Sequence, residues 1–229
     1  MQPYFFPYIG YFQLMNTVDE FIVYDNIEFT KKGWINRNRI LVNGKDSFIT
    51  LPLKKDSDYL HVKERYLANT WDSDKIKLRN RIIESYRKAP QFNSAYPVIE
   101  KCISFEDANL FNFIFHSLQA IKEYLEIPAS LLISSSVMID HELKAHTKVI
   151  EICKARKATK YINPIGGVAL YDKVEFQKEG IDLSFLKSND IIYKQFNNEF
   201  IPWLSVIDVM MFNSKEKIKD YLNSCYTII

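Results

Sequence analysis

Cysteine is scarce in this chain, three in 229 residues. Cys102, Cys153 and Cys225 lie far apart and are odd in number, which leaves no disulfide framework and no cysteine metal pair to read. A reducing compartment is expected. Cys153 falls in a helical pattern with Val149, Ile150 and Ile152 and reads as a small buried hydrophobe. Histidine is also sparse, with four residues. His141 and His146 are five apart and miss the i, i+4 spacing of zinc helices. His116 sits on an amphipathic segment as a packing residue, so no metal is expected. Charge of one sign is missing too: 30 Lys and Arg face 28 Asp and Glu. A dedicated nucleic-acid binder carries a basic excess, so no nucleic acid is expected as partner. No run of about 18 apolar residues exists to span a membrane. Met1 is followed by Gln2-Pro3-Tyr4, not by basic residues and an apolar run, so no signal peptide is read. The expected location is the cytoplasm, without membrane insertion.

What is present is an ordinary globular composition, 47% hydrophobic and 25% charged. A chain of this length buries roughly 70% of its unfolded surface and needs no staples. One domain over 1–229 is expected, with a hairpin and helical subregion at 36–127. Phe21–Asp25 reads as a buried strand. Asn43-Gly44 between Arg39–Val42 and Ser47–Leu53 is a hairpin turn, because both positions favour positive φ. His61–Leu67 alternates as a further strand. Helices are expected over Ser73–Lys88, Asp107–Leu125, Glu142–Lys157, Ala169–Gly180 and Ser214–Asn223, with strands at Leu131–Ser135, Tyr161–Asn163 and Ile181–Leu186. The fold class is therefore α/β: a mainly parallel sheet flanked by helices, with an antiparallel hairpin insertion in the N-terminal half. Residues 129–187 are expected to form parallel βαβ units.

Four segments are candidates for chemistry. In Gln2-Pro3-Tyr4-Phe5-Phe6-Pro7-Tyr8-Ile9-Gly10-Tyr11, two prolines block regular structure until Gly10, which permits a tight turn or a close ligand approach. The plainer reading is an aromatic arm over a core. Asp25 ends the first strand, where α/β sheets gather ligands; it is a ligand-binding carboxylate or a loop cap. In Trp34-Ile35-Asn36-Arg37-Asn38-Arg39, alternation puts the two asparagines on one strand face and the two arginines on the other. Amides and guanidinium forks suit sugar hydroxyls and phosphates, and an exposed polar strand is the plainer reading. Asn163-Pro164-Ile165-Gly166-Gly167 joins a strand to a helix, and two glycines let amides face a phosphate or carboxylate. It is neither a Walker loop nor G-x-G-x-x-G.

Together these segments resemble the WbqC-like protein family. The likeness is carried by Gln2 to Phe12, Asp25, Trp34-x-Asn36-Arg37-Asn38-x-Ile40, Thr50-Leu51-Pro52, Tyr161 to Gly167 and Phe200-Ile201-Pro202 with Leu204-Ser205. Family members carry a few more residues before the Gln-Pro pair, forming a short apolar strand, and many have histidine where this chain has Met1. The resemblance implies a role in bacterial surface polysaccharides such as O-antigen, acting on activated amino sugars. A weaker analogy links the Pro-rich loop, Gly10 and Asp25 to the nucleotidylyl transferases and pantoate–β-alanine ligase, which hold ATP. Tyr8 and Tyr11 stand where those enzymes place histidines.

The function expected from the resemblance is transfer of an acyl or aminoacyl group to the amine of a nucleotide-linked amino sugar. Asp25 would hold or deprotonate the amine. Gln2, Tyr4, Tyr8, Gly10, Tyr11, Trp34, Asn36, Arg37, Asn38, Asn163, Gly166 and Gly167 would bind substrate. No cofactor is required by the sequence itself; ATP or an acyl or aminoacyl donor is the co-substrate this chemistry calls for. The alternatives are a non-catalytic nucleotide-sugar or glycan binding module, and an ATP-using ligase. Gln2, Tyr8, Asp25, Asn36, Arg37 and Asn163 are expected to line one cleft.

Overall fold

The computed structural model describes residues 1–57 and 59–229. After an irregular aromatic opening come α1 (Ile9–Asn16) and β1 (Glu20–Val23), then the hairpin β2 (Arg37–Val42) and β3 (Lys45–Thr50). Three helices follow: α2 (Trp71–Tyr86), α3 (Phe92–Ile103) and α4 (Leu110–Tyr124). The second half runs β4 (Ser130–Ile133), α5 (Ala145–Ala155), β5 (Lys160–Pro164), α6 (Lys173–Lys178) and β6 (Asp182–Ser188). It ends with α7 (Val206–Phe212), α8 (Lys215–Ser224) and β7 (Tyr226–Ile228).

The chain is mixed α/β, with small sheets in place of one mainly parallel sheet. β1 pairs with β4 in parallel, β5 pairs with β6 in parallel, and β7 adds to β6 antiparallel. The two parallel pairs do not join. A cavity of about 410 Å³ separates β1 from β5, walled also by α1 and α5. Only Met1 enters the row beside β1: its amino group donates to the Ile22 carbonyl (2.6 Å), and its carbonyl accepts from the Tyr24 amide (2.8 Å). That is the bonding of one parallel bridge opposite Val23. Burial lowers the Met1 amine to about 5. Between residues 129 and 187, β5–α6–β6 is a parallel βαβ unit, whereas β4 pairs back to β1.

The hairpin forms as its turn chemistry requires, with φ of 49° at Asn43 and 76° at Gly44. Two expected elements change. His61–Leu67 is not a strand. The Val62 and Lys63 amides bond to the carbonyls of Ile27 and Asp25, and a 3-10 turn at Val62–Glu64 then breaks the run. Ala169–Gly180 is helical only over Lys173–Lys178, where Asp172 caps the Val174 amide, and residues 165–170 form a 3-10 turn. The expected set lacks helices α3 and α7, although Ala95, Ile99, Cys102 and Ile103 of α3 recur at helical spacing. α3 contains Pro97, and nearly all of α7 is buried, so it lacks the amphipathic stripe that marks a surface helix.

Apolar side chains gather in two clusters. The larger takes Phe5, Phe6, Phe12, Ile40, Ile49, Phe113, Met210 and their neighbours. The smaller, around Val149, Cys153, Phe176 and Phe185, packs α5 and α6 on β6. Cys153 is buried as expected, with its thiol pushed up to about 11 by that burial. No helix among the described residues is long and apolar enough to cross a membrane.

Candidate functional site

The densest polar cluster lies past the C-terminal ends of β1 and β4. The Asp25 carboxylate is buried there although the chain has just left a strand. Its Oδ1 accepts from the Ser134 hydroxyl (2.9 Å) and the Ser135 amide (3.0 Å). Its Oδ2 accepts from the Ser135 hydroxyl (2.6 Å), and Lys63 Nζ stands 3.7 Å away. The Ser134 hydroxyl also lies 2.6 Å from Asn26 Oδ1, so one proton serves two acceptors. Asn26 Nδ2 meets His141 Nδ1 at 3.1 Å, which makes Nδ1 the acceptor and leaves the ring proton on Nε2, 3.1 Å from the Val137 carbonyl. Lys148 donates to the His141 carbonyl at 3.1 Å.

These contacts set the charges. Burial pushes the Asp25 carboxyl up, but the hydroxyls of Ser135 and Ser134 and the amides of Ser135 and Asp25 outweigh it, leaving the group below its ordinary value. Asp25 is therefore an anion at neutral pH. A carboxylate oxygen has about two lone-pair positions. Oδ1 uses both, while Oδ2 takes one hydroxyl and the more distant Lys63 ammonium. Lys148 is lowered by desolvation, partly offset by the Asp25 charge. The site thus presents one anchored carboxylate flanked by two ammonium groups.

The aromatic opening forms a second cluster. Tyr4 donates to Gln2 Oε1 (2.9 Å), and the buried Tyr11 donates to the Gln2 carbonyl (2.9 Å). A Cβ on Gly10 would collide with the ring of Tyr8, so only glycine lets that ring lie on α1. Ser188, at the end of β6, lies against the Tyr8 phenol. A third group sits at the end of β5: the Tyr161 hydroxyl is 3.3 Å from Asn163 Oδ1, and the Asn163 amide covers Gly167 so closely that no Cβ fits. Gly166 has open space above it. Tyr24, next to Asp25, leans toward this third group, its phenol raised by burial and then by Tyr171 and Cys153.

The hairpin residues alternate in burial as expected, but their polar groups serve the fold. Asn36 donates to the Leu51 carbonyl (2.9 Å), and Asn38 donates to the carbonyls of Phe5 (3.2 Å) and Phe6 (2.8 Å). Arg37 donates to the carbonyls of Gly33 (3.1 Å) and Lys32 (2.6 Å) and lies over Phe48. Trp34 is exposed and stacks on Phe48. The six residues expected in one cleft are thus distributed. Gln2 and Tyr8 belong to the aromatic opening, Asp25 and Asn163 to groups at strand ends, while Asn36 and Arg37 are turned to their own surroundings.

Sequence reading did not single out Lys63, Ser134, Ser135 or Lys148, and weighed His141 only as a metal ligand. Their only local signal is the Ser134-Ser135-Ser136 run at a strand end. His116 packs against Phe105 (4.1 Å between rings), and His146 pairs with Glu175 (3.2 Å). Among the described residues no group of three or more His, Cys, Asp or Glu could hold a metal ion.

The comparisons with known proteins agree with this layout at the level of family. The uncharacterized protein Rv1507c of Mycobacterium tuberculosis (strain ATCC 25618 / H37Rv) is similar, 29% identical over 231 residues, covering 98% of this chain and 96% of that protein. No solved structure matches the chain significantly. The model of the WbqC-like protein family matches residues 2–220, and the chain belongs to that family.

Proposed function

We propose that this protein is an enzyme of bacterial surface-polysaccharide biosynthesis, cytoplasmic, that transfers an acyl or aminoacyl group to the amine of a nucleotide-linked amino sugar. The observation that carries this reading is the buried Asp25 carboxylate, fixed by Ser134 and Ser135 and flanked by Lys63 and Lys148. A sugar amine attacking an activated ester or thioester gains positive charge as the carbonyl oxygen gains negative charge. Asp25 orients the nitrogen and takes its proton through Oδ2, where the amine replaces the distant Lys63 contact. In this reading the ammonium groups of Lys63 and Lys148 serve as the donors an oxyanion needs. The new C–N bond forms, the donor's C–O or C–S bond breaks, and the leaving group departs with a proton. In this reading Asn163 and the Gly166–Gly167 turn receive the phosphates, and Gln2 and Tyr4 contact the substrate.

The test is incubation of the protein with nucleotide-linked amino sugars and acyl or aminoacyl donors, with and without ATP, read as a mass shift of the sugar. Asp25→Asn keeps the side chain's size and should leave binding largely intact while lowering turnover by roughly 10²–10⁴. If no donor gives a mass shift while the nucleotide-sugars still bind, the protein is a binding module.

A further inference from the structure

We infer that the aromatic-walled cavity between the start of α1 and the connection from β6 to α7 binds the nucleobase of a nucleotide. This rests on the nucleotide-sugar reading above and gives it a second subsite.

The cavity measures about 300 Å³ and lies between Tyr8, the chain just after Ser188, and Phe200 to Leu204. Its rings form two edge-on pairs, Tyr8 with Trp203 (5.8 Å) and Tyr193 with Phe200 (5.1 Å). Trp203, the largest of them, is half exposed. Loose aromatic side chains would close onto one another and shed water. Here each ring has its one edge-on partner, and the cavity stays open between the two pairs. Phe6, Phe196 and Trp203 have φ of 44°, 52° and 60°, which is unusual for bulky side chains. Such conformations persist only where the surroundings impose them, and they concentrate at binding sites.

Each imposing contact is visible. The Phe6 carbonyl accepts from Asn38 and Ser205, both at 2.8 Å, and the Pro7 carbonyl accepts from the Val206 amide at 2.9 Å. The long connection is pinned to buried Asp208 by Tyr193 (2.6 Å) and Gln195 (2.7 Å), and Gln195 also bonds both backbone groups of Ile201. The result is a set of fixed aromatic walls, with the Asn189 amide and the Asp190 carboxylate at one end, where the Ser188 hydroxyl is donated to Gln13 and Asn189 Oδ1 accepts from Thr227.

That combination selects the ligand. Flat ring walls favour a stacked base, and a short polar edge suits its amide and carbonyl groups. No Lys, Arg or His lines the cavity among the described residues, so phosphates belong outside it. Ser188 ends β6, the strand paired to β5, and β5 ends at Asn163 and Pro164. Asp25 lies beyond β5 on the other side, because β1 faces β5 across the larger cavity. A nucleotide-linked sugar with its base against Trp203 therefore runs its diphosphate past Asn163 and Gly166 toward Asp25.

The experiment titrates the full chain by calorimetry with uridine, guanosine, UDP, GDP and a hexosamine 1-phosphate. The variant is Trp203→Gly, which removes the ring at a position whose φ suits glycine, so the fold is retained. Thermal unfolding of the variant checks that it is. Nucleosides and nucleoside diphosphates should weaken roughly five- to hundredfold, the reach of one base–aromatic stack, while the sugar phosphate keeps its affinity. Nucleotides that bind equally well to the folded variant would overturn the cavity assignment and leave the transfer reading standing. Base binding that depends on Trp203, without acyl transfer to any amino sugar, would uphold the cavity and sink the transfer reading. Failure of every nucleoside and nucleotide to bind wild type would overturn the assignment.

Discussion

The Tyr86 hydroxyl donates to Asp208 Oδ2 at 2.8 Å, and the same phenol oxygen accepts from the Leu41 amide at 2.9 Å. One buried link thus ties α2, the hairpin and α7. The other carboxylate oxygen takes Tyr193 and Gln195. All of its donors are neutral, and burial raises the Asp208 pKa from 3.8 despite them. The native state then binds a proton more tightly than the unfolded chain. The stability from this group is fully present below pH 3.8 and is lost as pH rises through the higher folded value.

Asp208→Asn should remove that slope. It should also cost about 1–3 kcal/mol at the acid end, because the new amide nitrogen opposes a donor and leaves one hydrogen unpaired. Urea unfolding at several pH values from 3.5 to 7 reads both effects. A variant as pH-dependent as wild type would refute the assignment.

Asn38 and Ser205 hold the aromatic opening from two sides through the Phe6 carbonyl, and Phe6 sits at φ 44°. Asn38→Ala takes the side-chain donor from the Phe5 carbonyl, a loss of roughly 1–3 kcal/mol for a buried group left unpaired, while Phe6 keeps Ser205. A loss of about 1–3 kcal/mol in urea unfolding is expected. Ser205→Ala should cost less, since Asn38 still serves Phe6. Equal stability of Asn38→Ala and wild type would mean that the loop holds itself.

These contacts explain how far the sequence could be read. Asn43-Gly44 announced the hairpin because a two-residue turn is a local event. Gly180 likewise ended α6 in the left-handed region, with φ of 73°. The single parallel sheet was not readable, because it depends on whether β1 and β5 meet, and a cavity lies between them. Asp25 stood out by its place at a strand end. Its partners are fixed by tertiary packing: Lys63 arrives through a turn that the alternation disguised as a strand, and Ser134 and Ser135 come from more than 100 residues away. Asn36 and Asn38 look like ligand-binding amides in a list of residues, but the nearest unpaired groups are backbone carbonyls, and they win.

The two adjacent glycines at the end of β5 should respond differently to one methyl group. Gly166→Ala enters open space, so stability should stay within roughly 0.5 kcal/mol of wild type. Gly167→Ala must displace the Asn163 amide. That group ends a side chain and can swing away, so unfolding should change modestly. Binding of a nucleotide-linked sugar should weaken, because Asn163 leaves the phosphate path. Calorimetry with UDP-N-acetylglucosamine compares the two. Equal affinities would remove Asn163 from the site.

Ser135 gives the sharpest handle on Asp25. Burial raises that carboxyl, and the Ser135 hydroxyl at 2.6 Å is the largest of the groups that bring it below 3.8. A lowered folded value means that Asp25 contributes stability above pH 3.8, lost as pH falls through the folded value. Ser135→Ala removes the hydroxyl and leaves the amide, so the pKa should rise and both events should move upward in pH. The acid loss of unfolding free energy below pH 3.8 should be smaller and should level off at a higher pH than in wild type. The acid limb of acyl transfer should shift the same way, because the protonated carboxyl neither holds nor deprotonates an amine. At neutral pH the group is still ionised, and the rate should stay near that of wild type. If unfolding shifts while the acid limb stays, Asp25 is a structural carboxylate and the base lies elsewhere. If neither moves, the Ser135 hydroxyl does not set its charge.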